Sequence, residues 1–139
     1  MRPIILSSCL LSLSVGFCHL GDGDSVKADL DKLKGEWLAI ATLPGLGAAM
    51  EITDEKMQVK YGITFSGKNL TMNGRKAGFT IDPSKKPKTM RCELLSDDWC
   101  YQLDGDKLVI AFGTVGQKAL PDIEGKDGNY VLIFKRKAK

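Results

Sequence analysis

Two cysteines in the second half of the chain, Cys92 and Cys100, could form a covalent cross-link. A β-hairpin centred on Ser96 would place them opposite each other, at a spacing compatible with a disulfide between neighbouring strands. The alternation of apolar residues favours a different arrangement, in which Cys92 faces the core and Cys100 faces outward from the next strand. The sequence therefore leaves open a structural disulfide or two separate thiols.

Paired carboxylates are the residues that could act as acids, as bases or as calcium ligands. They occur at Asp97-Asp98 and at Asp104-Gly105-Asp106. Both pairs fall at predicted hairpin tips, where aspartate favours turns through hydrogen bonds to nearby backbone. Neither spacing matches a calcium-binding loop. Turn formation is the preferred interpretation, and no metal site is predicted.

Histidine, the commonest general base and metal ligand, occurs once, at His19 near the N-terminus. The main domain therefore cannot hold a Ser-His-Asp or Cys-His arrangement. The sequence also lacks a glycine-rich phosphate loop and any cysteine spacing typical of zinc sites. We expect no catalytic residues and no cofactor, and we do not expect an enzyme.

The 20 basic and 17 acidic residues are interspersed and give a net charge of +3. This pattern lacks the broad positive field that nucleic-acid binding requires, so no nucleic-acid partner is expected. Lysines cluster at 85–88 and again at the C-terminal residues 135–139. A solvated corner and tail are favoured there over contact with an acidic surface.

Residues 1–18 have the organisation of a secretory signal peptide, with a basic start and an apolar, serine-rich stretch over 4–17. This stretch is shorter than the roughly 20 residues that a membrane-spanning helix needs, so no transmembrane anchor is expected. Export would deliver the chain to the periplasm, the cell envelope or the medium. Lipid attachment at Cys9 or Cys18 is disfavoured, because the residues before each cysteine fit a lipoprotein motif poorly.

Residues 24–139 form one predicted domain, which follows a flexible tail at 19–23. Apolar residues at helical spacing predict a short helix from residue 24 to residue 35. The strands that follow have alternating apolar residues and turn-forming pairs such as Asn73-Gly74. They number about eight in up-and-down order, which is the number that closes a small barrel. The predicted fold is an all-β, antiparallel up-and-down barrel with a short N-terminal helix.

The same alternation predicts the faces of individual strands. Trp37, Ala39 and Ala41 share one face of the first strand, and residues 59–66 are predicted to form one continuous strand. The intervening segment, 44–56, is unusually long for a connection in a compact domain. Such a length is typical of a functional lid or of a disordered loop.

A set of large apolar and mostly aromatic side chains is predicted to face the barrel interior. Its members either line a pocket for a small apolar ligand or fill the core of a narrow barrel. The set comprises Tyr61, Phe65, Met72, Phe79, Tyr101, Phe112 and Phe134.

The segment Gly35-Glu36-Trp37, at the start of the first strand and after a short helix, resembles the G-x-W motif of lipocalins. The resemblance implies a lipocalin-like barrel in which Gly35 and Trp37 belong to a plug at the closed end. In that family an arginine near the end of the last strand packs on the tryptophan ring. Arg136 is the matching residue.

Longer segments are similar to a family of small exported proteins of uncharacterised function that is abundant in planctomycete bacteria. The resemblance covers nearly all of the chain after the signal peptide and implies no particular chemistry. It is carried by Leu33-Lys34-Gly35-Glu36-Trp37, Ile63-Thr64-Phe65-Ser66-Gly67-Lys68, Phe79-Thr80-Ile81-Asp82-Pro83-Ser84-Lys85-Lys86-Pro87-Lys88, Tyr101-Gln102-Leu103-Asp104-Gly105-Asp106-Lys107-Leu108 and Lys135-Arg136-Lys137.

These observations lead to two hypotheses for the function. The first is an exported lipocalin-like binding protein whose open end, gated by residues 44–56, accepts a small apolar molecule. The alternative is a filled barrel that acts through its loops, as an envelope-associated module that binds a protein partner or as a protease inhibitor. An exposed apolar patch around residues 46–50 would favour the alternative.

Overall fold

The computed structural model describes residues 21–43, 48–93, 98–113 and 119–139. The predicted signal peptide over 1–18 lies outside the described residues, and so do Cys9, Cys18 and His19. Within the described ranges, no helix is both long enough and apolar enough to cross a membrane.

The chain forms a closed antiparallel barrel of eight strands, with one short extra strand and a helix that precedes the barrel. Its elements are α1 (Gly21–Leu33), β1 (Gly35–Leu43), β2 (Met50–Glu51), α2 (Glu55–Lys60), β3 (Ile63–Ser66), β4 (Asn69–Met72), β5 (Arg75–Asp82), β6 (Lys88–Cys92), β7 (Asp98–Asp104), β8 (Lys107–Phe112) and β9 (Tyr130–Arg136). Neighbouring strands follow chain order from β3 to β9, and β1 pairs with both β3 and β9 to close the sheet. The predicted fold class is confirmed.

The turn between β4 and β5 shows how local sequence builds this ladder. Asn73 and Gly74 both have positive φ, 53° and 75°, as a two-residue hairpin turn of this hand requires. Met72 and Arg75 face each other directly across the turn. Asparagine and glycine adopt this conformation at little steric cost, so the turn fixes the register of both strands.

The barrel interior is packed with hydrophobic side chains from β1 and β3–β9, together with Leu33 of α1. Because paired residues of antiparallel strands point to the same face, the register brings these side chains together on the inside. The buried set comprises Leu33, Trp37, Ala39, Ile63, Phe65, Leu70, Ala77, Phe79, Met90, Cys92, Trp99, Tyr101, Leu108, Ile110, Leu132 and Phe134.

The prediction of a continuous strand over 59–66 is wrong in its first half. Residues 55–60 form α2, because the Asp54 side chain caps the helix by accepting a hydrogen bond from the Lys56 amide at 2.8 Å. Val59 is therefore exposed on a helix. A Cβ on Gly62 would lie 2.5 Å from the Trp37 carbonyl oxygen, so only glycine lets the chain return this close to β1.

The predicted face of β1 is also wrong beyond Ala39. The register with β9 shifts between Ala39 and Ala41, which makes Ile40 the extra residue of a β-bulge. Thr42 then pairs with Leu132, a member of the interior core. The bulge thus turns Thr42 inward, where simple alternation places Ala41.

Cys92 and Cys100 are both free and buried, so the candidate disulfide is not formed. Met90 pairs with Trp99, a register that leaves Cys100 opposite Thr89 and not opposite Cys92. Cys92 belongs to the interior core, whereas Cys100 packs on the outer face of the sheet with Ala111 and Val131. The two thiols therefore lie on opposite faces of the paired strands β6 and β7. Ser96, the expected centre of the hairpin, lies outside the described residues.

The end of the barrel near α1 is closed around Trp37, which is fully buried. The indole Nε1 donates a hydrogen bond to the Leu33 carbonyl at 2.7 Å, which fixes the ring against the end of α1. The Arg136 guanidinium lies over the ring, 4.3 Å from its centroid, and donates to the carbonyls of Lys34 and Lys32. Arg136 Nε also pairs with Asp106 at 3.0 Å. A cation over an indole face is attracted to it electrostatically.

A polar link ties α1 to the barrel at the same end. Asp29 of α1 is buried and accepts hydrogen bonds from the Tyr101 hydroxyl at 2.7 Å and from Lys88 Nζ at 2.8 Å. Burial, together with the Asp29 hydrogen bond, raises the pKa of Tyr101 above its ordinary value. The sequence analysis missed Asp29, because one acidic residue in a helical pattern carries no signal of an inward orientation.

The packing at this end predicts that Trp37→Ala lowers the free energy of unfolding by about 3 to 5 kcal/mol, the usual cost of a large aromatic deletion in a core. Urea unfolding followed by tryptophan fluorescence at Trp99 measures it. Val59→Ala is the control, because this side chain is exposed on α2 and its truncation should change stability by less than about 0.5 kcal/mol. A Trp37→Ala protein as stable as the control would contradict the assignment of Trp37 as a plug.

Candidate binding groove at the barrel mouth

The end of the barrel opposite Trp37 carries an open groove. It has a volume of about 440 Å³ and is lined by Thr42, Met50, Glu51, Ile52, Thr53, Asp54, Met57, Tyr61 and Tyr130. We call this the mouth groove. Its volume is within the range of roughly 300–1,000 Å³ that is usual for small-molecule sites.

The segment from β2 through α2 forms one wall of the mouth groove and corresponds to part of the predicted 44–56 connection. This wall is structured, because β2 pairs with the end of β1 and the Ile52 amide donates to the Ile40 carbonyl at 2.8 Å. The Gln58 side chain donates to the Ile52 carbonyl at 2.7 Å, which holds α2 against β2. Residues 44–47 lie outside the part of the chain that the structure describes.

The groove exposes large apolar side chains. Met50, Met57 and Tyr130 are 58%, 37% and 40% exposed, and they are three of the five large hydrophobic residues that are exposed within the described ranges. Methionine adapts its shape to different apolar partners, and it is frequent at binding surfaces for this reason. The lining therefore favours an apolar or partly apolar ligand.

An unpartnered hydroxyl lies in the wall of the groove. Thr42 is only 8% exposed, and its Oγ1 has no hydrogen-bond partner. A buried polar group without a partner destabilises a protein by about 1–3 kcal/mol, so few are found in native structures. Thr42 pairs with Met50 on one side and Leu132 on the other, which places its side chain between the exposed rim and the packed core.

Aromatic rings connect the groove to the core at this end. Tyr130 lies 6.1 Å from Phe112, and Phe112 lies 4.7 Å from Trp99 in an edge-to-face contact. Such contacts hold the rings in defined positions. Trp99 Nε1 is the second buried polar atom without a hydrogen-bond partner in the described chain. Both unpartnered atoms therefore belong to residues near the mouth.

The predicted ligand-lining set takes different positions in the structure. Phe65, Phe79, Tyr101 and Phe134 are buried in the packed core, and Met72 and Phe112 pack against it. Tyr61 is also partly buried against the core and lines the mouth groove. The predicted plug residues lie at the closed end. Arg136 covers Trp37, and Gly35 has a φ of 122°, a conformation that favours glycine.

Two other concavities have more polar linings than the mouth groove. One of about 520 Å³ lies on the flank of β1, β3 and β4 and combines polar residues such as Glu36 and Asn73 with apolar ones such as Val59. Another lies beside the C-terminal residues and is lined by Lys34, Arg136, Lys137 and Lys139. Neither contains an unpartnered buried side chain, whereas the mouth groove does.

The carboxylates considered from sequence occupy ion pairs or turns. Asp98 pairs with Arg91 at 2.7 Å, and Asp106 pairs with Arg136. Asp104 faces Lys107 across the β7–β8 turn, and Asp97 lies outside the described residues. Within the described ranges, no three His, Cys, Asp or Glu side chains come close enough together to hold a metal ion.

Sequence reasoning missed most of this groove. Met50, Met57 and Tyr130 come from three separate elements and have no shared spacing. Thr42 was missed because the bulge at Ile40 reverses the expected face. A helix-capping aspartate at residue 54 was the one available signal that the 44–56 connection contains ordered structure.

No protein-family model, curated protein or solved structure matches the chain. The fold and the groove define the class: a small antiparallel β-barrel with a packed interior, one sealed end and a ligand-sized apolar groove at the other.

The unpartnered hydroxyl predicts that Thr42→Val raises the free energy of unfolding by about 1 kcal/mol, because valine has nearly the same shape and no group to desolvate. Urea unfolding of the ligand-free protein measures the change. Thr80→Val on the exposed face of β5 is the control and should stay within about 0.5 kcal/mol of the wild type. A Thr42→Val protein less stable than the control would show that Oγ1 has a partner.

The buried cysteines predict two free and protected thiols. Burial raises the pKa of the Cys100 thiol to about 11, so little reactive thiolate is present near neutral pH. Iodoacetamide at pH 8 should leave Cys92 and Cys100 unmodified in the native protein and should alkylate both after unfolding without a reductant. Peptide-mapping mass spectrometry reads the result at each of these two cysteines. A pair that reacts only after reduction would show that the disulfide forms in the protein.

Proposed function

We propose that this protein is a binding module that takes a small, largely apolar molecule into the mouth groove. The observation that carries the proposal is the groove itself, which is lined by exposed Met50, Met57 and Tyr130 and by Thr42, whose hydroxyl is unpartnered. Exposed apolar side chains around a concavity are a known mark of ligand-binding sites.

The position of the proposed site differs from the interior cavity expected from the aromatic pattern. Most of the expected interior set is buried in the core, with side chains such as Phe65, Tyr101 and Phe134 at most 2% exposed. A ligand of the groove would therefore lie across the mouth, between the β2–α2 wall and Tyr130. Packing below it would supply a rigid floor.

Export is the second part of the proposal. It is supported by the basic start and short apolar stretch of the first 18 residues, and it agrees with the resemblance to small exported planctomycete proteins. An exported barrel of this kind would meet its ligand in the periplasm, at the cell envelope or outside the cell.

An interaction with a protein of the cell envelope is the second candidate function. It is favoured by Met50, an exposed apolar residue of the segment 46–50, and by Val59, which is 63% exposed on the same helix as the partly exposed Met57. A partner that binds this surface would contact both the groove rim and the outer side of α2. A ligand of the groove would contact the rim alone, so the two functions predict different effects at Val59.

The groove predicts binding of N-phenyl-1-naphthylamine, a neutral probe whose fluorescence rises in apolar surroundings. Met57→Glu should weaken binding at least about tenfold, because a carboxylate would have to be desolvated against the probe. Val59→Glu is the matched control, since it adds the same charge to the same helix outside the groove. Fluorescence titration measures both affinities.

Equal weakening by the two substitutions would locate the probe on the outer side of α2 and contradict the groove as the site. The absence of any fluorescence change with the wild-type protein would contradict a small apolar ligand altogether. Both variants change exposed helical positions, and far-ultraviolet circular dichroism checks that each has folded.

A further inference from the structure

We infer that Thr42 is the polar anchor of the mouth groove and that the ligand is a neutral apolar molecule with a hydroxyl group, such as a phenol or an alcohol. This inference rests on the proposed function, because it names the ligand chemistry of the same groove. It is carried by the buried, unpartnered Oγ1 in the groove wall.

Thr42 lines the groove, and its hydroxyl pairs with no protein group. The residue is nine-tenths buried and Oγ1 is closed to bulk water, so a ligand hydroxyl would pair with it once the Thr42 side chain turns toward the groove. A threonine hydroxyl both donates and accepts hydrogen bonds. A ligand hydroxyl does the same, so the two can pair whichever oxygen donates.

The side chains around Thr42 determine the polarity expected for the rest of the ligand. Its cross-strand partners are Met50 and Leu132, and Ile52, Met57 and Tyr130 line the same groove, so the remainder of the ligand contacts apolar surface. A polar group elsewhere on the ligand would lose its water without gaining a partner at these side chains.

The charge of the groove favours a neutral ligand over an anion. Its two ionisable acidic members are Glu51 and Asp54, and its lining contains no lysine or arginine. Asp54 is engaged in capping α2, where its carboxylate accepts the hydrogen bond from the Lys56 amide. A ligand carboxylate would meet two negative charges and no positive one, which disfavours it relative to a hydroxyl.

Three compounds of one shape test the anchor: 2-naphthol, naphthalene and 2-naphthoate. Equilibrium dialysis, with each compound quantified by its own fluorescence, gives the affinities. The wild-type protein should bind 2-naphthol about tenfold or more tighter than naphthalene, because only the naphthol satisfies Oγ1. It should bind 2-naphthoate more weakly than 2-naphthol.

Substitutions at Thr42 identify the group responsible. Thr42→Val should weaken 2-naphthol binding about tenfold and leave naphthalene binding unchanged, so that the preference disappears. Thr42→Ser keeps the hydroxyl and should keep the preference. Thr53→Val is the matched control, because Thr53 lines the same groove but is exposed, and it should keep both affinities.

The outcomes separate the anchor from the groove. Equal affinity of the wild-type protein for 2-naphthol and naphthalene, or an equal loss of both in Thr42→Val, would overturn the anchor and leave the groove as a site for apolar molecules. Tighter binding of 2-naphthoate than of 2-naphthol would overturn the inference that the ligand is neutral. Failure of the wild-type protein to bind any of the three would overturn the proposed function and the anchor with it.

Discussion

Pairing of β1 with β9 is the constraint on which the rest of the structure depends. It brings residue 37 opposite residue 136, almost a hundred positions later in the chain, and it closes the sheet so that the barrel strands have two neighbours. The same pairing puts the Arg136 guanidinium on the Trp37 ring, where it donates hydrogen bonds to the carbonyls of Lys32, at the end of α1, and Lys34, just after it. One strand pair therefore closes the barrel and seals one of its ends.

The two ends of the barrel differ in how their polar groups are satisfied. At the sealed end, Trp37 Nε1, the Tyr101 hydroxyl and the Arg136 guanidinium all have hydrogen-bond partners. At the mouth, Thr42 Oγ1 and Trp99 Nε1 have none. The hydrogen bonds at the sealed end stabilise the fold, whereas the two unpartnered groups at the mouth destabilise the free protein and support the ligand site proposed above.

The bulge at Ile40 lies along β1 between the sealed end and the mouth. Before it, β1 contributes Trp37 and Ala39 to the apolar core, and after it the inward residue is Thr42. β2 pairs with the same stretch of β1 and carries Met50 to the rim. Bulges are frequent beside functional sites because they redirect side chains without breaking the sheet.

Local sequence determined most of the fold. The Asn73-Gly74 turn, the alternation in strands such as β8 and β9, and the helix before Gly35 depend on neighbours in the chain. The turn and both strands lie at the predicted residues, and the helix begins at Gly21, three residues before its predicted start and within the stretch predicted as a flexible tail. Only the tertiary structure decided the site. The inward turn of Thr42 depends on a bulge in the pairing with β9. The groove combines residues from β1, β2, α2 and β9. The separation of Cys92 from Cys100 follows from the β6–β7 register. These features arise from contacts between distant residues, and alternation along one strand carries no information about them.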